Sequence, residues 1–209
     1  MSNGSPHLCY IHDPMCSWCW GFRPVLDELL ERLPDKIGVS RLLGGLAPDT
    51  DQPMPETMRQ DLQATWRRIQ QQLPQTRFNF DFWRLNTPRR ATYPACRAVI
   101  AARRLQPEAE DAMILAIQQA YYLQARNPSD DAILIDLAVE NGLDRPAFEK
   151  RLLAPETQRE LEQEMLLARQ LGVRSFPSLV LTRDDRYWPL PVDYSGADTM
   201  LEALAAALR

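Results

Sequence analysis

Two cysteines, Cys16 and Cys19, lie one helical turn apart in the segment DPMCSWCW, residues 13–20. A CxxC pair is typical of redox chemistry, in which one sulfur attacks a disulfide and the other resolves the intermediate. The apolar stretch at residues 8–11 is predicted to be a strand, and apolar residues recur at helical spacing after the pair, at Val25, Leu26, Leu29, Leu30 and Leu33. Cys16 is therefore predicted at or near the start of a helix.

The start of a helix favours a thiolate, because its backbone N–H groups are unpaired and the peptide dipoles place partial positive charge there. The thiolate is the nucleophile of disulfide exchange. We therefore predict Cys16 as the attacking nucleophile and Cys19, shielded one turn further along, as the resolving cysteine. Helical neighbours at this spacing have Cβ atoms about 5 to 6 Å apart, whereas a disulfide needs roughly 3.5 to 4.5 Å. A bond between them is therefore expected to be strained and reducible.

A zinc site is the alternative for this pair, completed by Cys9, Cys96, His7 or His12. Structural zinc usually takes four ligands with a second close pair, and the sequence has no second CxxC and no HxxxH. Redox chemistry is therefore favoured, with no metal and no organic cofactor. Cys9 and Cys96 are predicted to be packed, inert thiols.

Composition is that of a globular protein: 209 residues, 45% hydrophobic and 25% charged, with a net charge of −4. This length allows one sizeable domain, or one domain with a large insertion. The negative charge gives no support to binding of nucleic acid or of an anionic membrane. The sequence shows no signal peptide, and no apolar run approaches the length of about 18 residues that a membrane span needs. We therefore expect a cytoplasmic protein.

The order of predicted elements indicates an α/β fold. Residues 1–45 predict strand, helix, strand, and residues 155–209 predict helix, strand, strand, helix; together these form a small mixed sheet flanked by helices. Residues 46–154 are almost entirely helical in pattern and are predicted to be an insertion domain after the second strand. Within it, residues 78–83 alternate like a strand but are short and aromatic. We interpret them as packing for the helices, with a loop across the active face as the alternative.

A second segment, GVRSFPS at residues 172–178, belongs with the cysteines. Proline cannot donate to a sheet ladder, so Pro177 fits a turn or the start of a strand. With CxxC after the first strand, a helical insertion after the second and this turn before the third, the chain resembles the DsbA-like disulfide oxidoreductases of the thioredoxin superfamily. The form DPxCSWCW resembles one cytosolic branch of that family.

The resemblance implies a thioredoxin-like fold in which Pro177 is cis and lies beside the cysteines. It implies that the Phe176 backbone pairs with an incoming substrate strand, and that Ser17, Trp18 and Phe176 shape redox poise and substrate fit. A looser likeness, to an Asn…Ala-x-Arg feature near the active face of such proteins, falls on Asn86, Thr92 and Arg97.

Two positions depart from the family pattern. Thioredoxins carry a buried acid on the strand six residues before the first cysteine, and this chain has Tyr10 there. His12 and Asp13 are the nearest groups for proton transfer with Cys19, although either also fits a role in shaping the strand-to-helix turn. The Ser-Trp pair between the cysteines is also different, so a redox potential cannot be transferred from relatives.

The sequence thus predicts a thiol–disulfide oxidoreductase that acts on protein or small thiol substrates, glutathione among them, in the direction of reduction or isomerisation. One alternative is a glutathione-dependent transferase or isomerase of the same superfamily, although those relatives have serine at the position of Cys16. Another is a protein-binding adaptor for regulated proteolysis, with the redox pair secondary. No oligomeric state is predicted.

Overall fold

A four-stranded mixed sheet is the centre of the protein, which a computed structural model describes over residues 4–209. Its strands are β1 (His7–His12), β2 (Gly38–Leu43), β3 (Ser178–Arg183) and β4 (Arg186–Leu190), in the spatial order β2-β1-β3-β4. Strand β1 runs parallel to β2 and antiparallel to β3, and β4 is the antiparallel edge strand beside β3. The predicted mixed sheet is confirmed, and β1 is buried between two neighbours.

Helices cover both faces of this sheet. Helices α1 (Ser17–Glu31) and α9 (Asp198–Ala207) share a core with Leu8 and Tyr10 of β1, while α8 (Pro155–Gln170) packs on the opposite face against Cys9 and Ile11. This division follows from the pleat, because successive side chains of a strand point to opposite faces. The alternation of β1 therefore decides which of its side chains lie under the helix that carries the cysteine pair.

Six helices lie between β2 and α8: α2 (Glu56–Gln72), α3 (Phe82–Leu85), α4 (Tyr93–Leu105), α5 (Ala109–Tyr122), α6 (Asp131–Glu140) and α7 (Arg145–Leu152). The region from Glu56 to Leu152 is called the helical region below. Its position agrees with an insertion after the second strand; the domain boundaries at 45/46 and 154/155 stay a prediction. Within residues 4–209, no helix has both the length and the apolar character that crossing a membrane requires.

The aromatic segment at residues 78–83 packs the helical region, as interpreted, and only its last residues are helical. Trp66 of α2 is buried, and ring centroids of Phe78 and Trp83 each lie 4.9 Å from its own. Tyr121 and Tyr122 of α5 contact the same indole at 5.5 Å. Offset and edge-to-face aromatic contacts of this kind stabilise a core beyond simple area burial.

Charged side chains join the helical region to the sheet. Arg103 of α4 forms ion pairs with Glu110 of α5 at 2.9 Å and with Glu160 of α8 at 2.7 Å, and it also pairs with Glu164 of α8. The second carboxylate oxygen of Glu164 accepts a hydrogen bond from the Leu43 backbone N–H at 2.7 Å. Leu43 is the last residue of β2. Arg103 of the helical region is therefore linked to the end of this strand through Glu164 of α8.

Candidate active site

Cys16 is the residue at which helix α1 begins. It has the extended backbone of a helix cap, with φ −82° and ψ 116°, and its carbonyl accepts from the Trp20 N–H at 3.0 Å. Its own N–H donates to the Asp13 carbonyl at 3.0 Å, which closes the turn after β1. Cys16 therefore lies at the start of α1, where the first turn leaves backbone N–H groups unpaired, as the sequence indicated.

The two cysteines have opposite acidities. Hydrogen bonding with the Cys19 side chain, supported by the backbone N–H groups of Cys19 and Trp18, lowers the pKa of Cys16 in spite of burial. Burial raises the pKa of Cys19 well above its ordinary value, and Cys19 is fully buried whereas 7% of Cys16 is exposed. Cys16 is thus the more acidic and the less buried of the two residues, which is the arrangement that an attacking and a resolving cysteine require.

The segment before β3 lies against Cys16. The Phe176–Pro177 peptide bond is cis, and the Cys16 Sγ lies 3.5 Å from the Phe176 carbonyl oxygen, although the two residues are 160 positions apart. The Phe176 ring packs over Gly44, where a Cβ atom would come within 2.0 Å of the ring. The glycine that follows β2 therefore leaves the space in which Phe176 sits beside the cysteine.

The Asp13 carboxylate is fully buried and holds the turn that precedes Cys16. It accepts hydrogen bonds from the Met15 N–H at 2.8 Å, from the Leu46 N–H at 2.7 Å and from the Thr92 hydroxyl at 2.6 Å. Burial raises the pKa of Asp13, and these three bonds oppose that shift. Cys96 of α4 also contacts the carboxylate, with its sulfur 3.6 Å away. Asp13 thus binds the cysteine turn to the segment after β2 and to the start of α4.

His12, the other residue considered for proton transfer, has a buried and neutral ring. It stacks on Tyr10 with ring centroids 4.7 Å apart and planes 4° apart. Neither ring nitrogen has a hydrogen-bond partner among the described residues. Burial, followed by the charges of Arg41, Arg23 and Arg103, lowers the pKa of His12 to about 3. A ring with this pKa is a weak proton acceptor at neutral pH.

The open side of the site is aromatic and polar. Ser17 is buried, while the half-buried Trp18 ring makes an edge contact with Tyr194 at 5.4 Å and lies under the Arg68 guanidinium at 5.6 Å. The same two aromatic residues border a shallow pocket of about 440 Å³, whose remaining lining is formed by Gln72, Leu73, Gln75, Asp193 and Ser195. The pocket beside Trp18 therefore offers both flat apolar rings and hydrogen-bonding groups.

Other candidate residues have partners of their own. Arg97 pairs with Asp49 at 2.7 Å, and the Asn86 side chain donates to the Phe82 and Ala125 carbonyls. Of the three residues that match the Asn…Ala-x-Arg feature, only Thr92 contacts the cysteine turn, through its hydrogen bond to Asp13. Nothing in the spacing of the sequence pointed to Tyr194. The sequence did contain a signal for Tyr10, because it lies two residues before His12 in the strand and therefore on the same face of β1, the face that meets α1.

The ligands that a zinc site would need are dispersed. The His7 ring bonds the Ser40 hydroxyl at 2.6 Å, and Cys9 lies on the α8 face of the sheet. Across the part of the chain that the structure describes, no group of three or more His, Cys, Asp or Glu side chains is arranged to hold a metal ion. The geometry therefore gives the zinc interpretation no ligand set.

We predict that His12 makes the protein less stable as the pH falls. The unfolded chain takes up a proton near the ordinary pKa of 6.5, whereas folded His12 does so only at about 3. Between these values the unfolded state binds more protons, so the free energy of unfolding decreases with falling pH by up to about 1.4 kcal/mol per pH unit. His12→Phe keeps a ring stacked on Tyr10. Its free energy of unfolding, measured with urea between about pH 6.5 and about pH 4, should decrease less steeply than that of the wild type. Equal slopes for the two proteins would contradict a neutral, buried imidazole.

Comparison with known proteins agrees with this geometry. Residues 9–187 match the model of the family described as Thioredoxin. A solved structure from Nitrosomonas europaea has 28% sequence identity and a TM-score of 0.85, and 98% of each chain is covered. Cytosolic disulfide reductase DsbM from Pseudomonas aeruginosa, also solved with GSH, has 26% identity and a TM-score of 0.78, with 97% of this chain and 98% of that chain covered.

Two curated relatives are longer proteins with a different description. The ClpXP adapter protein SpxH of Halalkalibacterium halodurans is 24% identical over 177 residues, which are 83% of this chain and 57% of that protein. SpxH of Bacillus subtilis is 23% identical over 189 residues, 88% of this chain and 61% of that protein. The chain thus spans about three fifths of the length of these relatives. Because the family model covers most of the sequence and the solved relatives cover nearly all of it, the chain belongs to the thioredoxin family and is a DsbA-like member of that superfamily.

Proposed function

We propose that the protein is a thiol–disulfide oxidoreductase in which Cys16 attacks and Cys19 resolves. One observation carries the proposal: the more acidic sulfur belongs to the N-cap residue of α1 and contacts the Phe176 carbonyl beside Pro177, while its partner is fully buried one turn further along. This asymmetry makes only one sulfur available to a substrate. The other can react only after the first has bonded.

The reaction has two steps. The Cys16 thiolate attacks one sulfur of a substrate disulfide, a mixed disulfide forms, and the other substrate sulfur leaves as a thiolate that takes up a proton. Cys19 then loses its proton and attacks the Cys16 sulfur, which forms the Cys16–Cys19 disulfide and releases the second substrate thiol. The substrate gains two electrons and two protons, and the enzyme dithiol is oxidised.

The substrate is proposed to bind along Trp18, Ser17, Phe176 and Pro177. The Phe176 backbone lies next to Cys16, so a substrate strand paired with it would present its disulfide to the nucleophile. We expect protein or small thiol substrates, glutathione included, and net reduction or isomerisation in the cytoplasm. Similarity to a cytosolic disulfide reductase that was solved with GSH supports this choice. Cys16 also distinguishes the chain from transferase relatives that use serine at this position.

Cys16→Ser should abolish reduction of insulin, because a serine hydroxyl is not ionised at neutral pH and cannot exchange with a disulfide. Cys19→Ser should instead accumulate a mixed disulfide with the substrate, because attack is retained and resolution is lost. Turbidity of the reduced insulin and non-reducing electrophoresis measure the two outcomes. Cys9→Ala, on the opposite face of the sheet, is the matched control and should retain activity. If Cys16→Ser reduced insulin at a rate similar to that of the wild type, the assignment of Cys16 as the nucleophile would be refuted.

Gly44→Ala should slow exchange without unfolding the protein. The new methyl group would overlap the Phe176 ring, which must move and carry its carbonyl away from Cys16. Misplacement of a reacting group by about 1 Å can lower a rate by on the order of a hundredfold, so we expect a fall in kcat/KM of roughly tenfold or more. Gly196→Ala, where the nearest atom lies 3.9 Å from the added Cβ, is the control. An unchanged kcat/KM in Gly44→Ala would show that the seating of Phe176 is unimportant.

An adaptor role is the second candidate, and the two SpxH relatives are the observation that favours it. If the chain binds ClpXP through its surface, binding should not need the sulfur chemistry. A pull-down with purified ClpXP should then retain the Cys16→Ser/Cys19→Ser double variant as well as the wild type. Failure of both proteins to bind would remove this candidate and leave the redox function alone.

A further inference from the structure

Helix α2 lies directly against the helix that carries the cysteines. The two helices meet at Gly21, just after the cysteine pair, where an added Cβ atom would lie 2.9 Å from Leu73 Cδ1 and 3.3 Å from Ile69 Cγ2. The Trp20 indole N–H also donates to the Arg77 carbonyl at 3.0 Å, a few residues beyond the end of α2. These contacts fix the second half of α2 beside the CxxC segment.

Arg68 is the charged residue that this packing brings to the CxxC segment. Its guanidinium lies 5.6 Å from the centre of the ring of Trp18, the residue that directly precedes Cys19. Gln72, four residues after Arg68 on α2, borders the pocket of about 440 Å³ beside Trp18. Because residues four apart share a face of a helix, Arg68 lies on the side of α2 that borders this pocket.

The exposed Arg68 side chain carries a charge that no acidic residue balances. Residues 62–80 contain three arginines and no Asp or Glu, and within residues 4–209 no carboxylate forms an ion pair with Arg68. Arg59, earlier on the same helix, is by contrast paired with Glu56 at 3.2 Å. A guanidinium is planar and permanently charged, and its parallel N–H donors match the two oxygens of a carboxylate. Arg68 is therefore able to bind a carboxylate of a ligand that lies on the Trp18 ring.

Asp193 places the opposite charge on the wall of the same pocket. The hydroxyl and the backbone N–H of Ser195 and the hydroxyl of Thr199 donate to its carboxylate, and these hydrogen bonds lower the pKa of Asp193. Asp193 is thus ionised at neutral pH and repels another anion. A ligand carboxylate is therefore directed away from Asp193 and toward Arg68.

We infer that Arg68 determines specificity by binding a carboxylate of a small disulfide substrate beside Trp18 while Cys16 attacks. The inference rests on the proposed function and names the chemistry of its substrate, a small disulfide that carries carboxylates. The pocket volume of about 440 Å³ falls within the range of roughly 300 to 1,000 Å³ for small-molecule pockets. Arg68 exchanges no proton and no electron, and the bonds that form and break are those of the two steps given above. Its effect should therefore depend on the charge of the substrate.

The test compares disulfides of similar size that differ in charge: dithiodipropionate with two carboxylates, the neutral bis(hydroxyethyl) disulfide, and cystamine with two ammonium groups. The second-order rate constant for oxidation of the reduced full chain is measured by acid quenching, alkylation of the remaining thiols and determination of the protein mass. In Arg68→Ala, the rate constant with dithiodipropionate should fall by about fivefold, the upper end for loss of an exposed ion pair. The rate constant with the neutral disulfide should be unchanged, and cystamine should react no more slowly than with the wild type.

Arg67→Ala is the matched control, because it removes the same charge from the adjacent position, where the guanidinium lies 5.3 Å from the centre of the Phe80 ring. It should leave the three rate constants close to those of the wild type. Arg68→Lys keeps the charge without the parallel donors and should recover part of the rate with dithiodipropionate.

An unchanged rate with dithiodipropionate in Arg68→Ala would overturn the inference. Equal slowing with all three disulfides would overturn it in favour of a role in holding Trp18, and an equal loss in Arg67→Ala would overturn it in favour of the general charge of α2. If the neutral disulfide consumed the thiols of Cys16→Ser at the wild-type rate, the proposed function itself would be overturned.

Discussion

Burial of the Asp13 carboxylate is the constraint on which the site depends. A buried carboxylate is tolerated only where hydrogen bonds replace water, and this one accepts hydrogen bonds from three separate parts of the chain. The donors are Met15 in the cysteine turn, Leu46 in the segment after β2 and Thr92, which directly precedes α4. The Asp13 carbonyl accepts from the Cys16 N–H. The geometry of the nucleophile is thus fixed by polar contacts within the protein.

The sequence was sufficient for the parts of the fold that local rules decide. Apolar spacing after Cys16 and the short apolar runs at β1 and β3 predicted the helix and the strands, because amphipathic periodicity reflects which side is buried. The mixed sheet followed from the order of these elements. The aromatic segment that begins at Phe78 packs against the helices, as expected. A short aromatic run next to several helices buries more surface by packing against them than by pairing as a strand.

Other parts of the site depend on contacts between distant residues, and no spacing rule predicts those. The residue pair Cys16 and Phe176 meets only because β3 lies next to β1. Gly44 directly follows β2, and its close contact with the Phe176 ring arises only because the loop after β2 passes beside that ring. Asp13 was considered for proton transfer, yet its hydrogen bonds connect segments that only the folded chain brings together. Tyr10 was noted as a departure from the family pattern, but its contact with Phe22 requires α1 to lie across the strand.

The ion pairs around Arg103 and the bond from Glu164 to the Leu43 N–H have a consequence for modular evolution of this superfamily. A helical region that is anchored to the sheet by buried, directional contacts cannot be exchanged between relatives as an independent cassette. A chimaera would have to bring its own counterparts of Thr92 and Arg103, or leave the carboxylates of Asp13 and Glu164 without these partners. In this chain the helical region is tied through Thr92 and Arg103 to the sheet and to α8.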